Sequence, residues 1–169
     1  GLWWGWMSRS AGAPFYWWFE YLDLANLYPA YAALANFTRG EDKRRSEGQP
    51  QLRTGWPADL GSDNGAHNQL DSFRLADGRV FYAYVFDREQ ASALPRDPQQ
   101  RRRLETVRLR LMNVPPGPYR VEVWNCWTGA VEQAGTIQAD AAGLLVVPLP
   151  PFVVQAAVKV KPVASGAEK

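Results

Sequence analysis

Six consecutive positions, residues 15–20 of the stretch APFYWWFEYLD, hold five aromatic side chains and one carboxylate. The apolar face of an indole ring fits the C–H face of a sugar ring, and a carboxylate accepts hydrogen bonds from sugar hydroxyl groups. We therefore interpret Trp17, Trp18 and Glu20 as candidate substrate-binding residues, with Glu20 as a polar contact rather than a nucleophile. The alternative is that the aromatic side chains fill a core, which we expect for the other three and leave open for each tryptophan.

The composition excludes several other kinds of site. Cys126 is the only cysteine and His67 the only histidine, so the chain has no material for a disulfide, a cysteine-rich zinc site or a Ser-His-Asp triad. We predict no metal site and no cofactor. The net charge of +2 is too weak to indicate nucleic acid, and the sequence lacks a run of about 18 apolar residues that would span a membrane. Neither nucleic acid nor a membrane is a predicted partner.

The elements around the candidate residues predict an α/β unit over residues 1–40. Residues 2–7 are apolar nearly all round, which is typical of a buried helix. Residues 15–19 are strand-like, and residues 27–38 have apolar side chains at helical spacing, with Gly40 at the position of a C-terminal cap. Because residue 1 is not Met and an apolar helix begins at once, we expect the chain to be a piece of a larger packed domain.

The second half of the chain predicts a different architecture. Residues 41–65 are polar and rich in Gly and Pro, which is typical of a connector. From residue 66 onward apolar and polar residues alternate, and about six or seven short strands joined by tight turns predict an antiparallel β-sandwich over residues 66–163. Residues 164–169 are predicted to be a disordered tail. The fold class is therefore α+β by content and mainly β.

Two smaller groups of residues are interpreted as structural. Trp124 and Trp127 flank Cys126 near a hairpin end, where they could stack on a sugar, but we favour packing against the barrel or the sandwich core. The arginine run 101–103 is interpreted as a solvated loop.

The order of these segments resembles the C-terminal end of a bacterial glycoside hydrolase of the family 5-like (β/α)8-barrel type, a relative of cellulases and mannanases. The resemblance lies in SAGAPFYWWFEYLD, LYPAYAALANFTRGED, PYRVEVWNCWTGAV and LPPFVVQAAVKV, and it covers nearly the whole chain except the connector. It implies that residues 1–40 are the last βα unit of an incomplete barrel. Tyr16, Trp17, Trp18 and Glu20 match the family's eighth-strand pattern, whereas Phe19 departs from it, because relatives often have Trp there.

The resemblance implies a function for the larger protein. It is a glycosidase that acts on a β-linked polysaccharide or oligosaccharide, and it is extracellular or periplasmic. The catalytic carboxylate pair would lie on barrel strands before residue 1, so this chain alone is predicted to be inactive. Its partners would be the saccharide and the upstream barrel portion of the same protein. The alternatives are a non-catalytic β-sandwich module that binds a carbohydrate or another extracellular polymer, and a structural domain on a barrel that has lost catalysis.

Overall fold

The computed structural model of the chain describes residues 2–7, 19–42, 51–53, 60–62, 70–77, 80–92 and 100–164. The described helices are α1 (Leu2–Met7), α2 (Phe19–Leu24), α3 (Tyr28–Thr38) and α4 (Arg88–Ser92). The described strands are β1 (Gln51–Arg53), β2 (Leu60–Ser62), β3 (Leu70–Asp77), β4 (Val80–Asp87), β5 (Arg103–Leu104), β6 (Val107–Leu111), β7 (Gly117–Asn125), β8 (Val131–Ala139), β9 (Leu145–Pro148), β10 (Phe152–Val153) and β11 (Gln155–Pro162). This part of the chain is mainly β, as the sequence predicts.

The strands pair antiparallel in three sheets. A six-stranded sheet has the order β1-β3-β4-β11-β7-β8, a three-stranded sheet has the order β2-β6-β9, and β10 pairs with β5. Strand β4 has the sequence VFYAYVFD, which is apolar on both faces, and it lies between β3 and β11 in the six-stranded sheet. A strand covered on both faces needs apolar residues throughout, so the sequence of β4 indicates the central position that the structure shows.

The six-stranded and three-stranded sheets share one hydrophobic core. Strand β6 shows how the sequence builds it: Val107, Leu109 and Leu111 are buried, whereas Arg108 and Arg110 are exposed, as their alternation predicts. Two sheets that bury their inner faces in one core form a β-sandwich. The larger buried members of this core are Phe81, Val85, Val107, Leu109, Leu111, Tyr119, Val121, Val123, Leu145, Val147, Phe152, Val158 and Val160.

Helices α1 and α3 pack on the other face of the six-stranded sheet. The structure confirms both helices that the sequence predicts, and α3 has a proline in its first turn. Gly40 follows α3 with a φ of 76°, the left-handed conformation that suits a glycine after a helix end. The buried members of this second cluster are Trp3, Met7, Ala33, Leu34, Phe37, Tyr82, Tyr84, Cys126 and Ala157. Among the described helices, none has the length and hydropathy of a membrane span.

The structure departs from the sequence reading in two places. Of the strand predicted over residues 15–19, only Phe19 lies within the described residues, and it begins helix α2. Two short strands, β1 and β2, form inside the predicted connector, where they pair with β3 and β6. Such short strands form because a partner strand elsewhere in the chain pairs with them. A local sequence pattern does not show that partner. The domain boundaries at residues 40 and 65 and the barrel unit stay predictions.

Candidate functional site

The predicted sugar-contacting residues are only partly described by the structure. Trp17 and Trp18 lie outside the described residues. Glu20 occupies the first turn of α2 and is exposed, a position where a carboxylate interacts favourably with the helix dipole. Glu20 therefore stands on a helix rather than at the end of a strand, and it faces solvent.

Two further polar groups lie near Glu20 along the chain. Asp23 follows it by three residues on the same helix face, and the hydroxyl of Tyr28 donates a hydrogen bond to Asp23 Oδ1. This bond, together with the negative charge of Asp23, raises the pKa of Tyr28. Glu20, Asp23 and Tyr28 are all exposed, and we name them the α2 surface. It offers two carboxylates and a phenol, which can bond to the hydroxyl groups of a polar ligand.

Buried residues on the same helices hold the α2 surface in place. Leu22 is buried between the two exposed carboxylates. The amide of Leu27 donates to the carbonyl of Leu22 over 3.0 Å and closes the turn into α3. On α3, Phe37 is fully buried, and its ring packs edge-on against Trp3 and Trp6 of α1 at centroid distances of 5.1 and 5.3 Å. The α2 surface is thus the outer side of helices whose inner side is packed.

A charged anchor follows α3 directly. Glu41 accepts hydrogen bonds from Lys159 Nζ at 2.9 Å, Lys161 Nζ at 2.7 Å and the hydroxyl of Tyr82 at 2.7 Å. Burial alone would raise the pKa of Glu41, but the bonds from Lys161, Lys159 and Tyr82 outweigh it and lower the pKa below its ordinary value. The carboxylate is therefore ionised and ties the end of α3 to the central strands β4 and β11.

The ammonium group of Lys159 is enclosed by more than this carboxylate. Its Nζ atom lies 4.8 Å from the ring centroid of Phe37 and 4.6 Å from that of Trp124, within the range of cation–π attraction. Lys159 is only 5% exposed. Sequence reasoning placed Glu41 in a polar connector and did not single out Lys159. The sequence feature that points to a buried contact here is β4, because its apolar residues on both faces indicate that the sheet is covered on both sides.

The turn between β7 and β8 holds a second candidate surface. Asn125 Oδ1 accepts hydrogen bonds from the backbone amides of Trp127 at 2.8 Å and Thr128 at 3.1 Å. The indole N–H of Trp127 donates to the carbonyl of Val153 at 3.1 Å, yet the residue is 37% exposed. The guanidinium carbon of Arg101 lies 5.6 Å from its ring centroid.

The packing predicted for both tryptophans of this region is found only for Trp124. Its ring packs edge-on against Phe37 at a centroid distance of 5.6 Å, whereas Trp127 remains exposed. Cys126 between them is fully buried, and burial raises the pKa of its thiol, so it packs as an apolar residue. His67 lies outside the described residues.

Arg102 and Arg103 of the arginine run are exposed, as the sequence interpretation expects, but Arg102 also has a buried partner. Arg102 Nη2 bonds to the fully buried carboxylate of Asp87. Gln90 also donates to this carboxylate, through its backbone amide at 3.2 Å and its side-chain amide at 2.9 Å. Burial raises the pKa of Asp87, but these bonds from Arg102 and Gln90 outweigh it and lower the pKa. Arg103 is exposed, so the members of the run serve different roles.

Among the described residues, no group of three or more His, Cys, Asp or Glu side chains comes together in a way that could hold a metal ion. A shallow depression of about 260 Å³ lies on β7 and β8 and is lined by Arg120, Ala134, Gly135 and Thr136. Its lining contains a single charged residue and no aromatic ring. The α2 surface and the turn between β7 and β8, which carries Trp127, are therefore the stronger candidates.

No family model and no curated protein matches the chain. Three solved structures are similar to part of it. The GH39 enzyme from Xanthomonas axonopodis pv. citri is 18% identical over 54% of this chain and 26% of its own length, with a TM-score of 0.39. The alpha-L-fucosidase isoenzyme 2 from Paenibacillus thiaminolyticus is 18% identical over 64% of this chain and 16% of its own length, with a TM-score of 0.39. A monomeric beta-xylosidase from Caulobacter crescentus CB15 is 13% identical over 59% of this chain and 27% of its own length, with a TM-score of 0.36.

The chain thus spans 16–27% of the length of these three structures. Similarities at TM-scores of 0.36–0.39 decide neither the fold nor the function, which rest on the chain's own residues.

Proposed function

We propose that the chain is the C-terminal part of a secreted bacterial glycoside hydrolase that acts on a β-linked polysaccharide or oligosaccharide. In this proposal, residues 1–40 are the last unit of a family 5-like (β/α)8 barrel, and the sandwich braces that barrel. Trp17, Trp18 and Glu20 contribute one wall of the sugar site. The catalytic carboxylates belong to the upstream part of the same protein, and the whole enzyme works outside the cytoplasm.

One observation carries the proposal of an upstream partner. Helices α1, α2 and α3 each expose a large side chain: Trp4 is 45% exposed, Leu24 86% and Tyr28 56%. The inner sides of α1 and α3 are packed on the six-stranded sheet, so these helices carry apolar or aromatic groups on both sides. We infer that these exposed side chains belong to a contact surface, and the rest of a barrel is a partner of matching chemistry.

The bracing role rests on the contacts between the helices and the sheet. The second core cluster joins α1 and α3 to β4 and β11, and the buried ion pair between Glu41 and Lys159 adds a fixed polar contact. A helical layer held in this way cannot shift relative to the sandwich without breaking both. A sandwich fixed to the last barrel unit would limit movement of the site wall that this unit contributes.

The placement of the two carboxylates on the α2 surface supports the proposed inactivity of the chain alone. In retaining glycosidases the acid/base and the nucleophile flank the scissile bond and are about 5–5.5 Å apart. On the α2 surface, Glu20 and Asp23 project from one face of one helix, so both approach a bound sugar from the same side. Two such carboxylates can bind hydroxyl groups, but they cannot protonate a leaving group and attack the opposite face of the ring.

The proposal is tested by comparing two proteins, the 169-residue chain and the product of the complete reading frame that contains it. Reducing-sugar release is measured on a panel of β-linked polysaccharides. We expect turnover by the longer protein only, and turnover by the 169-residue chain would contradict the proposal.

In the longer protein, Trp18→Ala and Glu20→Gln should raise KM or lower kcat, whereas the control Glu105→Gln, on the exposed turn before β6, should not. Unchanged kinetics in the first two variants would remove them from the site.

A second candidate function is the non-catalytic carbohydrate-binding module, and the exposed Trp127 favours it. The N–H of Trp127 is already bonded to the protein and the residue is 37% exposed, with Arg101 over its ring. This function and the hydrolase proposal are compatible, since they use different ends of the chain.

A further inference from the structure

We propose that strand β8 is an edge for self-association, through which two copies of this chain pair antiparallel and join their six-stranded sheets into one. The symmetry axis would pass through Gly135, the middle residue of β8. The strand belongs neither to the α2 surface nor to the helices that expose Trp4 and Leu24, so this proposal does not rest on the hydrolase function.

Strand β8 is an outer strand of the six-stranded sheet. Among the described strands it pairs with β7 alone, so the backbone groups on its other side have no strand partner in this part of the chain. A row of open N–H and C=O groups is a template for another strand. The strand at the opposite edge, β1, has three residues, whereas β8 has nine, which makes β8 the better template.

The side chains of β8 are open on both faces of the sheet. Seven of its nine residues are exposed, all but Ile137 and Ala139. Gly135 pairs with Val121, which is buried in the sandwich core, yet Gly135 itself is exposed. The strand thus extends past the layers that cover its neighbours, and a second strand can approach it without displacing them.

The sequence of β8 lacks the residues that usually protect an edge strand. Lysine and proline are common on protected edges, and VEQAGTIQA contains neither. Its one charged residue, Glu132, bonds to Asn125 at 2.7 Å and lies at the β-bulge near the turn. Residues 133–139 are uncharged and keep a regular register with β7, so they present a continuous edge.

The strand is complementary to itself when it is reversed. In an antiparallel pair centred on Gly135, Ala134 of one copy lies opposite Thr136 of the other, and Glu132 lies opposite Gln138, whose amide can donate to a carboxylate. The two Glu132 side chains are then separated by six residues, or roughly 20 Å. This exceeds the screening length of about 8 Å at physiological salt, so the single charge of β8 does not oppose the pairing.

Small side chains at the centre of β8 leave room for those of a second strand. The depression of about 260 Å³ lies here and is lined by Arg120, Ala134, Gly135 and Thr136. Symmetric pairing would place the depressions of two copies side by side, with each Thr136 beside an Ala134. Arg120 is already paired with Glu122 at 3.1 Å, and it can stay so at the rim of the contact.

The same features favour a second copy over a peptide of another protein. Strand-addition sites select a foreign peptide through pockets for its alternate side chains, whereas the lining of this depression includes no aromatic ring and no large apolar side chain. Self-pairing needs no such pocket, because the register of β8 supplies the match. A contact one strand wide is small beside the 1,200–2,000 Å² or so that stable interfaces bury, so we expect a weak, concentration-dependent dimer.

The test is sedimentation-velocity ultracentrifugation of the 169-residue chain from micromolar to submillimolar concentration. We expect an equilibrium between monomer and dimer. Two double variants, Ala134→Lys with Thr136→Lys and Ala134→Glu with Thr136→Glu, each place like charges opposite one another and should weaken dimerisation at least about tenfold. An equimolar mixture of the two should dimerise again, because each lysine then faces a glutamate. The control Leu24→Lys, on the exposed side of α2, should leave dimerisation unchanged.

Several results would overturn the proposal: a wild-type chain that stays monomeric, unchanged dimerisation in the double variants, or a mixture that does not dimerise. Loss of dimerisation in Leu24→Lys alone would assign the contact to the helices instead. Species that grow beyond the dimer would also contradict symmetric pairing, which closes at two copies. Far-ultraviolet circular dichroism checks that each variant is folded. If the double variants do not fold, Thr136→Lys provides the test, because it adds a single charge at an exposed position of the edge.

Discussion

The two faces of the six-stranded sheet are built from different side chains. Val85, Val158 and Val160 point into the sandwich core and are fully buried. On the opposite face Tyr82 and Lys159 are also buried, but they lie under α1 and α3. Val158 and Lys159 are neighbours in the chain, so a single step along β11 leads from an aliphatic core to a buried ion pair.

The difference shows what each kind of packing requires. A sheet packed on another sheet buries mostly apolar surfaces, and the hydroxyl of Tyr119 in this core donates to the carbonyl of Pro115 at 2.9 Å. The face under the helices holds polar groups, and these have partners: Lys159 bonds to Glu41, and the hydroxyl of Tyr84 donates to Gln155 at 2.6 Å. Buried polar groups are tolerated when they are bonded, so the second face depends on a set of contacts that must be complete.

The largest effect is expected from a charge placed in the first face. Val158→Asp buries a short carboxylate in the aliphatic core, where it can neither reach solvent nor find a cation, and it should cost more than about 4 kcal/mol of unfolding free energy. Urea unfolding followed by circular dichroism measures this. The control Val158→Ala removes volume without adding charge and should cost about 1–3 kcal/mol. Equal losses in the two variants would show that the first face tolerates charge.

Removal of the carboxylate from the second face should have the next largest effect. Glu41→Ala leaves the Lys159 ammonium buried beside aromatic rings without its counterion, at a cost of about 3 kcal/mol. Lys161 is 44% exposed in its side chain and can return to water. Adding Lys159→Met to Glu41→Ala should therefore restore most of the stability. If Glu41→Ala costs less than the double variant, the ion pair is not what holds α3 to the sheet.

A matched pair of glycines tests how closely the β7–β8 turn approaches α3. Gly129 has a φ of 69°, and a Cβ atom there would lie 2.6 Å from Ala33 Cα. Gly40 has a similar φ of 76° with open space around it. Gly40→Ala should cost about 1 kcal/mol, from the left-handed backbone alone, and Gly129→Ala about 2 kcal/mol, because the turn or the helix must also shift. Equal melting temperatures would argue against the close contact.

The smallest effect is expected from pH, and it concerns the second face. The pKa of Glu41 is lowered in the folded protein by its bonds to two lysines and a tyrosine, against the opposing effect of burial. Its contribution is therefore fully present above the ordinary pKa of a glutamate, about 4.3, and is lost as the pH falls through the lower folded value. Urea midpoints between about pH 6 and pH 3 should fall more steeply in the wild type than in Glu41→Gln. Parallel curves would contradict this.

Much of the fold follows from local patterns. The alternation in β6 and β7 predicted which residues enter the sandwich core, and the two-sided apolar sequence of β4 predicted a central strand. The helices at residues 2–7 and 28–38 followed from their apolar content and from Gly40. These features depend on the periodicity of one element at a time, so a sequence shows them directly.

The candidate sites were less accessible to this reasoning. Glu20 stays a predicted sugar contact, and its place on a helix was not foreseen, because residues 15–19 favour strand by propensity. Trp127 was assigned to packing, but it is 37% exposed, and its indole N–H bonds to the carbonyl of Val153, which lies 26 residues away in the sequence. The run of three arginines looked uniform in the sequence, but in the structure Arg102 bonds to Asp87, whereas Arg101 lies over the Trp127 ring.

The sequence by itself determined the antiparallel β-sandwich, its inward-facing residues and the helices α1 and α3, because each needs only a local period and a turn. The tertiary structure alone decided which polar groups meet. Glu41 and Lys159 are 118 residues apart in the chain and Trp3 and Cys126 are 123 apart, and each pair forms only when α1 and α3 pack on the six-stranded sheet. Partners of this kind depend on the packing of distant elements, which local propensity does not encode.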